Sequence, residues 1–178
     1  MFKNSANQLK KPLVLTTAAM MIAVYVILYM VKIPIAVESR VSVTFLPIVV
    51  SAYLGGPVVS MIVGAIGDIL GFLAFPSGQF FPGFTISATL TGLIYGVFLF
   101  RVSRKKLRLM TILSTAIVTL FVYTALNTLW LAILYQKAFF IYLASRIVKN
   151  LITFPFQMIV TEIVIDALVK TGITKKYI

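Results

Sequence analysis

The 178-residue chain has no cysteine, no histidine and only four acidic residues. Without cysteine there is no disulfide, no thiolate metal ligand and no thiol nucleophile. Without histidine there is no imidazole ligand and no histidine general base. Charged residues make up 11% of the chain, against about 25% in a soluble domain. So few charged side chains cannot give a compact domain of this length a polar surface. The phosphate-binding loop G-x-x-x-x-G-K-[ST] is missing, as are H-E-x-x-H, G-x-S-x-G and any clustered pair of glutamates. P-loop ATP hydrolysis and the familiar intramembrane hydrolase chemistries therefore lack their groups. An enzyme reading would rest on Asp68 alone, and the chain is expected not to be an enzyme.

What is present is apolar: 61% of the residues are hydrophobic. A bilayer core about 30 Å thick needs roughly 20 apolar residues as a helix. Six spans are expected, at about 13–31, 41–54, 58–75, 83–100, 109–134 and 140–170, forming one all-α membrane domain over 1–178. Pro12 sits at a favoured first-turn position of the first span. The second span is short and is expected to be interrupted by Pro47. Gly55-Gly56-Pro57 and Pro76-Ser77-Gly78 are turn signals, and Pro155 is expected to kink the sixth span. The first span is too long for a usual signal-peptide core, and no convincing cleavage site follows it. No soluble domain, linker or clear internal repeat is visible.

Sixteen Lys/Arg against four Asp/Glu give a net charge of +12. In a soluble protein this would suggest nucleic acid; here the cations sit between apolar runs and report topology. Lys3, Lys10 and Lys11 precede span one. Arg101, Arg104, Lys105, Lys106 and Arg108 join spans four and five, and Lys170, Lys175 and Lys176 follow span six. Lys32, Arg40 and Lys137 fall on the other side. The bias places both termini in the cytoplasm.

Charges inside spans are costly and mark functional candidates. Arg146, Lys149, Asn150, Thr153 and Gln157 share one face of the sixth span. Arg146 and Lys149 either snorkel to the interface or line a binding face. Tyr123, Asn127 and Trp130 share a face of the fifth span. Trp130 is either an interfacial belt residue or a ring-stacking partner. Asp68 lies deep in the third span, either in an ion pair with Arg146 or Lys149 or facing a ligand. The segment 75–84, with Gln79, Phe81 and Phe84, is either an aromatic interfacial loop or a lid over a flat ring. Lys32, Glu38 and Arg40 occupy the first outer loop. Arg40, Arg146 and Lys149 outweigh Asp68 in the outer half, which suits an anionic ligand; the carboxylate and aromatics suit a heterocycle with N–H donors. Ala19 and Ala23 form a small-xxx-small pair on span one that lets another helix approach closely. Ala88, Gly92 and Gly96 make a similar ridge on span four, expected to pack inside the bundle.

The chain resembles the substrate-binding S component of an energy-coupling factor (ECF) vitamin transporter. Ala19-x-x-x-Ala23 matches the alanine motif by which S components contact the transmembrane T subunit. The stretch from Gly64 to Phe84 (GAIGDILGFLAFPSGQFFPGF), Leu126 to Trp130 (LNTLW) and Arg146 to Asn150 (RIVKN) resemble the folate-type branch. Related S components for other small molecules share parts of this pattern. The resemblance implies high-affinity folate binding, toppling in a bacterial cytoplasmic membrane, and partnership with a T subunit and two ABC-type ATPases. No cofactor is expected beyond the ligand. Folate pairs an N–H-rich pterin with a dianionic glutamate tail. The pterin is therefore expected near Asp68, Asn127 and the aromatics, and the tail near Arg40, Arg146 and Lys149. An S component for a pterin precursor, pantothenate or another metabolite, and a six-span scaffold, are the alternatives.

Overall fold

The computed structural model describes residues 2–36, 39–76, 78–135, 139–172 and 177; Glu38, Ser77, Lys137, Lys175 and Lys176 lie outside them. The protein is predominantly helical. A short helix α1 (Phe2–Gln8) precedes α2 (Pro12–Met30). A hairpin of β1 (Lys32–Ala36) and β2 (Ser39–Ser42) leads to α3 (Phe45–Gly55) and α4 (Pro57–Ala74). Then come α5 (Pro82–Leu99) and α6 (Arg104–Ile117), which runs on through a π-helix, π1 (Val118–Leu126), into α7 (Asn127–Tyr135). The last helix is α8 (Phe139–Lys170). Among the described residues, five helical segments are long and apolar enough to cross a membrane.

Proline starts three of the long helices: Pro12, Pro57 and Pro82 each stand in the first turn, where the missing N–H has no partner to lose. Gly56 precedes Pro57 with φ of +84°, a conformation glycine takes without strain, and so turns α3 directly into α4. The same logic corrects the expectation for Pro47. It lies in the first turn of α3 and is buried there without interrupting the helix. The expected span at 41–54 begins later, because 39–42 pair with 32–36 as an antiparallel hairpin. β-Branched Ile33, Ile35 and Val41 favour extended backbone here. At 11 residues, α3 rises only about 17 Å. It survives as a half-span because neighbours enclose it: Phe45, Ile48, Val49 and Ala52 are all buried.

α4 and α5 cross backbone against backbone. A Cβ on Gly64 would stand 2.5 Å from the Ala88 carbonyl oxygen, and one on Gly92 2.6 Å from the Ser60 carbonyl carbon. Ser60 Oγ donates to the Gly92 carbonyl at 2.7 Å. In lipid there is little hydrophobic drive between helices, so close approach through small residues supplies the contact. The Ala88/Gly92/Gly96 ridge packs inside the bundle as its spacing predicted.

At one end of the bundle Ser5 Oγ donates to the Gly55 carbonyl at 2.7 Å and accepts from the Val58 amide at 3.0 Å. Arg104 Nη2 donates to the Val169 carbonyl at 3.3 Å. The starts of α2, α4 and α6 and the ends of α3, α5 and α8 therefore share one end. Arg104 to Arg108 lie within α6 rather than in a loop, so the turn after α5 is only four residues, 100–103. The helix α1 and the π-helix were not foreseen.

Replacing Gly92 with alanine should force α4 and α5 apart, at a cost of about 1–3 kcal/mol. Thermal unfolding of the detergent-solubilised protein should show a lower midpoint for Gly92→Ala than for Val97→Ala on the exposed face of α5. Equal midpoints would mean that the crossing tolerates a methyl group.

Candidate functional site

At the end of the bundle opposite the basic residues, Tyr29, Asp68, Phe72, Gln79, Phe80, Phe81 and Phe84 enclose a cavity of about 210 Å³. Helix spacing explains the wall. Asp68 and Phe72 are four residues apart on α4 and share a face. Glycines shape the seat of Tyr29: a Cβ on Gly71 would meet its ring at 2.7 Å, and one on Gly67 would meet Tyr25 at the same distance. Phe72 and Phe80 have ring centroids 5.1 Å apart, and Phe81 lies 6.1 Å from Phe84, edge to face. The half-buried Asp68 carboxylate accepts a hydrogen bond from Thr85 Oγ1 at 2.8 Å, across the α4–α5 crossing. One carboxylate in an aromatic cup is an acceptor suited to N–H donors on a flat heterocycle.

Beyond Phe81 lies a second sector. Trp130 sits 5.8 Å from Phe81, and its indole N–H donates to Ser87 Oγ at 3.1 Å. Gly83 makes room, since a Cβ there would come within 2.5 Å of the indole. Next to it the π-helix is keyed to α8. Thr124 Oγ1 donates to the Thr119 carbonyl five residues back at 2.8 Å and accepts from Asn150 Nδ2 at 2.7 Å. Thr128 Oγ1 donates to the Thr124 carbonyl. Two turns further along α8, Gln157 Oε1 accepts from Thr119 Oγ1 at 3.4 Å. Asn127 Oδ1, one turn past Thr124, is buried without a hydrogen-bond partner. A buried acceptor left so costs about 1–3 kcal/mol, which a ligand donor would recover.

The sequence matches the family model for the substrate-specific component of ECF transporters over residues 13–165. The chain belongs to that family. It is 42% identical over 123 residues to the folate transporter FolT of Clostridium novyi, covering 68% of this chain and 69% of that one. It is 31% identical over 142 residues to the folate transporter FolT of Leuconostoc mesenteroides, covering 77% and 76%. Among solved structures it is similar to FolT bound with folic acid, with a TM-score of 0.75 and 32% identity, covering 83% of this chain and 89% of that one. These relatives of the S component are transport proteins, not enzymes.

Of the residues singled out from sequence, this S component brings Asp68, Gln79, Phe81 and Phe84 together around the cavity. Trp130 joins them through Phe81, with Asn127 on the preceding turn. Tyr123 is half-buried on the π-helix, one residue before Thr124. Arg146 and Lys149 are half-buried on α8, and Asn150 is buried against Thr124. The polar face of α8 is thus divided. Asn150, Thr153 and Gln157 turn inward to the π-helix region, and the two cations sit above them. The backbone of Arg40 lies in β2; its side chain lies outside the described residues. Ala19 and Ala23 are exposed on α2.

Sequence reading missed Tyr29, Phe72, Phe80, Thr85 and Ser87. Phe72 was visible as the residue four after Asp68. Tyr29, four after the buried Tyr25, carried the same signal. Thr85 and Ser87 required knowing which helix faces α4 and α7.

Thr124→Val keeps the side-chain shape but strands the Asn150 donor. Loss of a buried partner predicts about 1–3 kcal/mol of destabilisation, read as a lower unfolding midpoint, with Thr124→Ser recovering most of it. Equal midpoints for valine and serine would mean that the hydroxyl is not what holds α8 to the π-helix.

Proposed function

We infer that this protein is the high-affinity folate-binding S component of an ECF-type vitamin importer, a six-span protein of a bacterial cytoplasmic membrane with both termini inside. The observation that carries the reading is the Asp68 carboxylate in its aromatic cavity, on a chain of the S-component family whose relatives include FolT bound with folic acid. The cavity is smaller than the roughly 300–1,000 Å³ typical of pockets that hold a drug-sized ligand. It suits one ring system. The pterin ring lies there, its N–H groups donating to Asp68 and its faces against the phenylalanines. The rest of the ligand runs past Trp130 and Asn127 toward α8, where Arg146 and Lys149 hold the glutamate carboxylates, with Arg40 closing from β2. Charge-assisted hydrogen bonds of this kind are the strong class.

The two halves of the ligand are read by opposite charges, so a cation in place of folate would meet two like charges at its tail end. Energy comes from partners: a T subunit docked on the exposed Ala19/Ala23 face of α2 and two ABC-type ATPases, with toppling of the S component releasing folate inside. The basic end of the bundle faces the cytoplasm by the positive-inside rule; the cavity then opens outward.

Calorimetry with folate and with pteroic acid, which lacks the glutamate, separates the two ends. Arg146→Ala and Lys149→Ala should each weaken folate about ten- to a hundredfold, from about 1.5–3 kcal/mol per charged hydrogen bond, and barely change pteroic acid. Asp68→Asn should weaken both alike. Equal losses for both ligands in the α8 variants would reassign those cations to holding the bundle together.

Ala19→Trp and Ala23→Trp should abolish copurification with the T subunit while folate affinity stays within about twofold, because an indole blocks close helix approach. Unimpaired assembly in both variants would remove α2 from the partner interface.

A further inference from the structure

Arg101 has a φ of 56°, the one positive value at a non-glycine position among the described residues. It directly follows Phe100, the cap of α5. That is the place where a helix ordinarily ends on glycine, because a Cβ is strained there. The guanidinium lies 5.3 Å from the Phe100 ring centroid. Orientation of a membrane protein needs only a count of cations, and an arginine at any neighbouring position would serve that count. The positive-inside rule therefore does not explain an arginine held in this conformation; backbone strain of this kind accompanies function.

Its surroundings indicate what it meets. Arg101, Arg104, Lys105, Lys106 and Arg108 are all exposed. Arg108 is offset by Glu162 of α8 at 3.1 Å, and Arg104 donates to the Val169 carbonyl at 3.3 Å. Leu109 and Leu113 follow on α6, exposed at 56% and 40%. Apolar side chains facing outward mark where acyl chains begin, so the cations one turn earlier stand at headgroup level. α6 packs on α5 and α8, whereas α2 packs on α3 and α4. The basic turn is therefore in a different sector from Ala19 and Ala23 and stays in contact with lipid when that face is covered.

We propose that the segment from Arg101 to Arg108 is a binding site for the phosphate headgroups of anionic phospholipids. The strained Arg101 and the three exposed cations of the first turn of α6 form one cluster opposite the leaflet surface. The site is independent of which vitamin the protein carries.

The test is native mass spectrometry of the full chain taken from mixed phosphatidylglycerol and phosphatidylcholine bilayers, counting retained lipids. The wild type should retain phosphatidylglycerol preferentially. Arg101→Gly relieves the backbone strain, so it should unfold no earlier than wild type yet retain about fivefold less phosphatidylglycerol, the loss expected for one cation at a membrane surface. Arg104→Gln/Lys105→Gln/Lys106→Gln should remove the preference, with folate affinity unchanged in every variant. Equal retention of both lipids by the wild type would overturn the proposal. So would a preference that survives all these substitutions. If the neutralised turn keeps its lipids but loses copurifying subunits, the turn docks protein and the lipid site is wrong.

Discussion

The close contact between α4 and α5 is the constraint on which the rest of this structure depends. Gly96 against Pro57, Gly92 against Ser60, Gly64 against Ala88 and Thr85 against Asp68 mark successive levels of one antiparallel crossing. At the first three levels the contact is backbone on backbone or nearly so, which only residues without bulk allow. The fourth level is where the helices begin to open, and there the contact becomes a hydroxyl on a carboxylate. The cavity starts at that level. A helix pair without its glycines would separate along its whole length. Asp68 would then lose Thr85, and the aromatic cup would lose the wall formed by α5.

The other half of the bundle is built differently. α6, the π-helix and α8 carry threonine, serine, asparagine and glutamine on their facing sides, with Thr111, Ser114, Thr115, Thr153 and Thr161 buried along with the Thr124–Asn150 pair. In hydrocarbon such groups are driven inward; Thr111, Ser114 and Thr153 bond carbonyls of their own helices, and the Thr124–Asn150 and Thr119–Gln157 pairs cross between elements. The π-helix fits this role because its widened turn lets Thr124 reach a carbonyl five residues back while still accepting from α8. π-Helical turns are rare and concentrate at functional sites. Here the segment leads into Asn127, whose side-chain Oδ1 is a buried acceptor without a hydrogen-bond partner. A glycine-packed rigid half thus faces a hydroxyl-keyed half, and the proposed ligand path runs between them.

The ends of the molecule differ in the same economical way. Cations gather at the end where Ser5 ties α1 to the α3–α4 turn. Aromatics and the hairpin gather at the other. The aromatic cavity and the basic turn are therefore separated by the length of the bundle.

Much of this was legible in the chain itself. Long apolar runs bounded by Pro12, Pro57 and Pro82 placed the helices, because a bilayer leaves few options for a backbone that must satisfy its own hydrogen bonds. Asp68 stood out because a carboxylate in such a run is expensive, and Phe81, Phe84 and Gln79 because they cluster within one short loop. Local sequence was silent where the outcome depended on pairing. Residues 41–44 read as apolar helix until the hairpin partner at 32–36 claimed the strand. Pro47 read as a break until the helix start moved beside it. Asn150 read as part of a ligand face, and only the opposing π-helix showed that its amide donates to Thr124. Periodicity assigns a residue to a face of its own helix. What that face meets is decided by how the helices cross, and those crossings are set by glycines and hydroxyls distant in sequence.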